Sequence, residues 1–479
     1  MIQTITQEKF EQTLYAREEV YDEIFNFGNN DIIFPKEILY NIRFTECSFT
    51  GKNLILKNIN LPDIGLLFSN CTFKCKILIQ NTSLNSLWFE DTEEIEGLEF
   101  DSLSRENSNI NLFRFNYDIK NENIPTLGIN FSFKNYNFRK DFHFTNVNMK
   151  NGNLDIINCK LGNKELAYSK ISLENSKIYN LFIYKSLFSS QTSFENSVLC
   201  YSSESQNKKN IKFPSIEESS FEQVSFSNCK FDKEFGIREC QFHNTINFNN
   251  ISSGILRIFS GNFNNYTSFD DANLKMLIIY ECKFSEILSI QKAKFNTINI
   301  TKTIFDKITF FDEITIAYIY KCQRHTIRTI KQQLQHSDNK IDYNRFRGYE
   351  LQAYYKELKW KENFKDKAIL WATKWSTGFE HSWTKALRFV LTGALIFYSL
   401  FFISENYMLS LNPGLSSLKD FASGYFRFLI ITDFYNPLEQ KLIFIDNSNT
   451  TGWIVFILGK IVLAFGIYEM IQAFRKFKA

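Results

Sequence analysis

Proline and glycine are scarce in this 479-residue chain, with 6 and 18 residues, so neither a collagen-like repeat nor a loop-rich, low-complexity polymer is written here. Charge of one sign is also missing: 55 Lys and Arg stand against 52 Asp and Glu, a formal net of +3. That is far from the basic excess of a nucleic-acid binder, and equally far from an acidic mimic of DNA. Histidine is rare, with five residues, and the nine cysteines form no CxxC pair and no Cys/His cluster at zinc-ligand spacing. No metal site and no cofactor is therefore expected. The opening stretch, MIQTITQEKFEQTLYAREEV, carries no basic run followed by an apolar one. Without a secretory signal, most of the chain is expected in a reducing, cytosolic setting with free thiols. P-loop, HExxH, GxSxG and glycine-rich dinucleotide motifs are absent as well, and an enzyme is not expected.

What the chain has instead is aromatic residues, 51 Phe and 22 Tyr, in a repeat. From Phe235 it aligns in four gapless blocks of 21 residues, each returning an isoleucine at the third position (Ile237, Ile258, Ile279, Ile300) and a phenylalanine at the eighth (Phe242, Phe263, Phe284, Phe305). Apolar or small residues fall in pairs two apart, which is strand geometry, and the pairs are separated by steps of about five that turn a corner. Four short sides make one coil, and stacked coils put like side chains over like. Cys240 and Cys282 are read as small inward residues beside a corner, with Phe242, Phe263, Phe284 and Phe305 filling the centre of a side. Cys47, Cys71, Cys159 and Cys229 are assigned to the same cysteine column, with coils starting at 42, 66, 131, 154 and 181. The register is expected to fail around 90 to 130 and 200 to 220, YSSESQNKKN included.

In the triplets CQF and CKF the chain resembles the pentapeptide-repeat proteins, whose four-sided right-handed β-helix pairs a small residue with Leu or Phe two positions on. The expected fold is therefore an all-β repeat solenoid of about 21 residues per coil over 41–316, behind a helical N-terminal cap at 1–40. Its right-handedness is what the resemblance implies.

After about Ala317 helical spacing takes over. RHTIRTIKQQLQHSDN and YNRFRGYELQAYYKELKWKENF are amphipathic and charged, and KDKAILWATKW alternates bases with apolar residues as interface-lying helices do. Residues 317–383 are thus expected as a cytoplasmic helical linker with an interfacial helix. Residues 386–404 and 452–474 are each long and apolar enough for the roughly 30 Å hydrocarbon layer. Between them a half-length apolar helix at 415–432 is expected to re-enter the bilayer, broken by Asn436 and Pro437. Lys385 and Arg388 before the first span, and Arg475, Lys476 and Lys478 after the second, put both ends in the cytoplasm. The expectation is a multi-pass bacterial inner-membrane protein with its β-helix in the cytoplasm.

Span, half-helix, loop, span within 384–479 resembles the two-transmembrane pore-loop ion-channel domain often fused to pentapeptide repeats in bacteria. That resemblance implies a homo-oligomer, a tetramer, with the filter at Thr432, Asp433 and Tyr435. No glycine stands there, so the backbone does not readily take the left-handed conformations of a potassium filter. A ring of Asp433 carboxylates is the expected attractor of cations. Lys460 falls mid-span, where an uncompensated charge costs about 3 kcal/mol. Two readings stand for it: a pore-lining or gating lysine meeting Asp433 or Glu469, or a structural one that snorkels or pairs between subunits. For the whole chain three functions stand: an ion channel with a β-helix sensor, a lipid-anchored scaffold whose β-helix binds a cytoplasmic protein, and a membrane-disrupting defence effector.

Overall fold

The computed structural model describes residues 4–105, 108–118, 125–149, 152–166, 168–199, 214–409, 415–433, 435, 437 and 450–475. YSSESQNKKN and Asn436 lie outside the described residues. The chain divides into two compact units, Met1–Cys322 and Gln323–Ala479.

The first unit is an all-β parallel solenoid. Helix α1 (Gln7–Ala16), capped by the Thr6 hydroxyl, buries Phe10 edge-on against Phe25, Phe27 and Phe34. The first coil begins at Glu19–Tyr21, inside the segment assigned to the cap, because Glu19 to Tyr21 already pair in parallel with Arg43 to Thr45. Among the described residues the strands form two parallel sheets of 18 strands each. Late coils keep the 21-residue step, Ile246 pairing with Thr267, Thr267 with Leu288 and Leu288 with Thr309. Early ones stretch it: Phe89 pairs with Phe115 and Phe115 with Phe144, steps of 26 and 29. The average is about 23 residues per turn, longer than the 21 read from the last blocks.

Phe242, Phe263, Phe284 and Phe305 stack in sequence with ring centroids 4.9, 4.4 and 5.6 Å apart and planes within 17° of parallel. The strand spacing of about 4.8 Å sets these distances, so each ring lies on the one below. Three corrections follow from the pairing. First, the register does not fail between 90 and 118: strands Ile95–Asp101 and Asn109–Asn116 stay paired, because Phe100, Phe113 and Phe115 still fill the inward positions. Second, the coils starting at 42 and 66 and those starting at 131, 154 and 181 belong to opposite sheets. Third, the cysteines form two ladders. Cys47, Cys71 and Cys229 follow strands of one sheet, and Cys159, Cys240 and Cys282 follow strands of the other. Each comes directly after a corner residue with positive φ: Glu46, Asn70 and Asn228 at one corner, Asn158, Glu239 and Glu281 at the other. The left-handed corner explains the abundance of Asn, whose short polar side chain tolerates that backbone. All six thiols are buried, and those of Cys240 and Cys282 donate to the carbonyls of Ile216 and Ile258 in the coil before.

The second unit is helical. The hairpin α2 (Arg324–His336) and α3 (Lys340–Glu357) is joined by Arg328 and Lys331, which donate to Glu350 at 2.7 and 2.6 Å. Helix α4 (Phe364–Ser376) precedes the long apolar helices α5 (Trp383–Leu409) and α7 (Thr450–Arg475), with α6 (Leu415–Leu429) between them. Within α5 and α7, Trp383–Ser404 and Thr450–Phe474 are long and apolar enough to cross a membrane.

Candidate functional site: the half-length helix and its lysine

Helix α6 forms because Phe421, Tyr425 and Phe428 recur at spacings of four and three on one side, and that stripe has a fixed partner. All three rings pack on Tyr398 of α5, at 5.0, 6.3 and 5.7 Å. The approach is close: a Cβ at Gly424 would collide with the Tyr398 hydroxyl, and one at Gly459 would come within 2.7 Å of the Phe428 ring. Val390, Ala394, Tyr398, Phe401, Phe428, Phe456 and Leu463 form the common core of α5, α6 and α7.

At the end of α6 the carbonyls of its last turn lack helical donors, and the helix dipole leaves partial negative charge there. Lys460 of α7 meets both. The residue is 5 % exposed, and its ammonium donates to the Phe428 carbonyl at 2.9 Å and the Ile430 carbonyl at 2.5 Å. It also lies 5.0 Å from the ring centroids of Phe428 and Phe456. Lys460 is thus the cap of the half-length helix, supplied by a neighbouring span. These contacts within one chain, to backbone carbonyls, are neither the snorkelling nor the intersubunit pair of the structural reading, and they leave the pore-lining reading untested.

The filter candidates cluster just beyond. Asp433 is half-buried; its carboxylate meets the Arg427 Nε at 3.6 Å and accepts the Tyr435 backbone N–H at 3.0 Å. Thr432 and Tyr435 are exposed. Glu469, the other partner considered for Lys460, is engaged elsewhere. The hydroxyls of Thr377, the C-cap of α4, and of Thr373 within it donate to its two oxygens at 3.1 and 3.4 Å, which ties α4 to α7. Sequence reasoning missed this clamp, although two threonines four apart on an interfacial helix were a readable signal. Cys240, Phe242, Phe263, Cys282, Phe284 and Phe305 all lie in the solenoid ladders described above, within the unit Met1–Cys322.

Compared with protein-family models, curated proteins and solved structures, the chain matches none.

Proposed function

We propose that this protein is a membrane-anchored solenoid: α5 and α7 cross the bilayer, and the solenoid is held at the cytoplasmic face as a scaffold that binds a protein partner. One observation carries the anchor. The apolar windows of α5 and α7 are only 28 % and 33 % buried inside the chain. Leu391, Leu395, Ile396, Leu400, Ile403, Ile454, Leu458 and Ile461 stand outward, each at least 40 % exposed. Eight such side chains, at roughly 1 kcal/mol for each half-exposed Leu or Ile, would forfeit about 8 kcal/mol in water, as much as a typical domain's whole stability. Hydrocarbon removes that penalty, and the basic flanks at both helix ends favour the cytoplasmic side for both termini.

The scaffold is preferred to conduction because the groups that would attract a cation are already neutralised. Arg427 pairs with Asp433, and the Lys460 ammonium occupies the negative end of α6. The span, half-helix, span order, with α6 packed against both long helices, is the one observation favouring an oligomeric channel instead. Two measurements on the full-length protein test this. Sedimentation of lysed cells should leave it in the membrane pellet after alkaline washing, and recovery in the supernatant would sink the anchor. Planar bilayers containing purified protein should stay silent; cation currents abolished by Asp433→Ala would replace the scaffold with the channel.

A further inference from the structure

Between α4 and the two long helices lies an open cavity of about 630 Å³ without polar surface. Trp371 and Trp375 of α4, Phe389 of α5, and Ile461, Val462 and Phe465 of α7 form its walls. Its volume is that of a small-molecule site, commonly about 300–1,000 Å³. A lining without polar groups selects an occupant that needs no hydrogen bond inside.

Depth and charge identify that occupant. The Trp383 ring stacks on Phe474 at 5.1 Å, so the start of α5 and the end of α7 share one membrane face. At 1.5 Å per residue, Phe389 lies about 9 Å below that face and Ile461 about 20 Å below it. With about 15 Å of hydrocarbon per leaflet, those depths run from inside the near leaflet to just past the bilayer midplane. Next in sequence to the lining residues Trp375 and Phe389, Lys374 of α4 and Arg388 of α5 are exposed, as are Lys365 and Lys385. Among the described residues none of these four forms an ion pair, whereas the neighbouring carboxylates are engaged: Glu380 by Arg347, Asp366 by the Tyr354 hydroxyl and Glu469 by Thr373 and Thr377. The Lys385 ammonium donates to the Lys374 carbonyl at the α4–α5 junction, and the Lys374 ammonium lies 5.2 Å from the Tyr355 ring centroid.

We infer that this groove is a site for one anionic phospholipid, its acyl chain lying between Trp371, Trp375 and α7 and its headgroup phosphate meeting Lys374, Lys385 and Arg388. The inference rests on the membrane reading above. In it, the site makes the chain selective among lipids and fastens α4 to the cytoplasmic leaflet.

The test reconstitutes full-length protein in phosphatidylcholine vesicles doped with a lipid brominated on its acyl chain, either phosphatidylglycerol or phosphatidylcholine. The readout is quenching of the fluorescence that Trp371→Phe/Trp375→Phe removes. Native protein should be half-quenched at a several-fold lower mole fraction of the brominated phosphatidylglycerol. Lys374→Glu/Lys385→Glu should bring that ratio to about one while flotation with vesicles is unchanged. Ala372→Phe, which fills the groove between the tryptophans, should weaken quenching by both lipids. Equal quenching by the two lipids in floating native protein would overturn the site and leave the anchor standing, as would a preference that survives both glutamates. Protection of these tryptophans from both quenchers, together with cross-links at position 371 between chains, would assign the groove to a second copy and overturn the lipid. Failure to float at all would instead strike the membrane reading itself.

Discussion

Replacing Lys460 with Met separates a cap from a pore lining. Met keeps much of the side-chain length and packing but removes the ammonium and its bonds to the Phe428 and Ile430 carbonyls, leaving Ile430 only the Asp433 backbone N–H. Hydrogen bonds to a charged group contribute about 1.5–3 kcal/mol each, so two represent about 3–6 kcal/mol. Against this stands relief from holding a charge at mid-span, about 3 kcal/mol. The favourable meeting of a cation with the helix terminus, about 1–2 kcal/mol where partly buried, is lost as well. The balance is a destabilisation of α6 by about 1–5 kcal/mol, with a middle value of about 3 kcal/mol. At 1.4 kcal/mol per factor of ten, hydrogen exchange of the α6 amides should accelerate at least about 5-fold and, at the middle value, about 100-fold in detergent micelles, while α2 and α3 keep their protection. Lys460→Arg should lose less, because guanidinium retains donors for the same carbonyls. Unchanged α6 protection in the Met variant would refute the cap and return Lys460 to a water-facing position.

Three further outcomes follow from the same physical terms. Phe263→Ala removes a ring stacked on Phe242 and Phe284 and fully buried, and should cost the solenoid about 3–5 kcal/mol, read as a lower urea midpoint by circular dichroism. Burial pushes the thiols of Cys159, Cys229 and Cys240 up to about 12 and that of Cys282 to about 11, so peptide mapping after iodoacetamide at pH 8 should find these four unmodified until denaturant is added, with the half-buried Cys322 labelled well before them. Burial alone would raise the Glu350 carboxyl, but Lys331 and Arg328 hold it below the usual value, so its contribution is fully present above the unfolded pKa near 4.5 and is lost as pH falls through the lower folded value. Glu350→Gln should cost about 1–2 kcal/mol at pH 7, less than a buried pair because Arg328 is half-exposed, and should flatten the acid limb of the melting-temperature profile; an acid limb identical to that of the native chain would contradict the pairing.

The contrast between what the residues announced and what they concealed has a single origin. The coil was legible because its ladder is made of side chains: Phe242, Phe263, Phe284 and Phe305 recur at a fixed step, and period two separates inward from outward positions. The two cysteine ladders were not separable, because each half-coil repeats one local pattern of apolar pair, left-handed corner, small residue and large residue. Spacing read within a half-coil gives the same answer at Cys229 and at Cys240. The longer upstream turns were legible too, from coil starts such as 42 and 66 or 154 and 181, because corners in the first half absorb extra residues without moving the inward columns.

In the helical unit the two long apolar helices were visible for the same reason, as runs of side chains. The partner of Lys460 was hidden because it is backbone. A carbonyl at a helix end has no letter in the sequence, so a search among side chains such as Asp433 and Glu469 could not find it. The consequence reaches function. A mid-span lysine facing a carboxylate would be poised to change partner, whereas one that closes a helix terminus fixes α6 between α5 and α7. Together with the Glu469 clamp on Thr373 and Thr377, this gives α7 two polar fasteners about two and a half turns apart, one for α6 and one for α4. An anchor that must hold a long solenoid to a membrane needs such fastening. A gate, which must let α6 move, would have to break the Lys460 cap each time it opened.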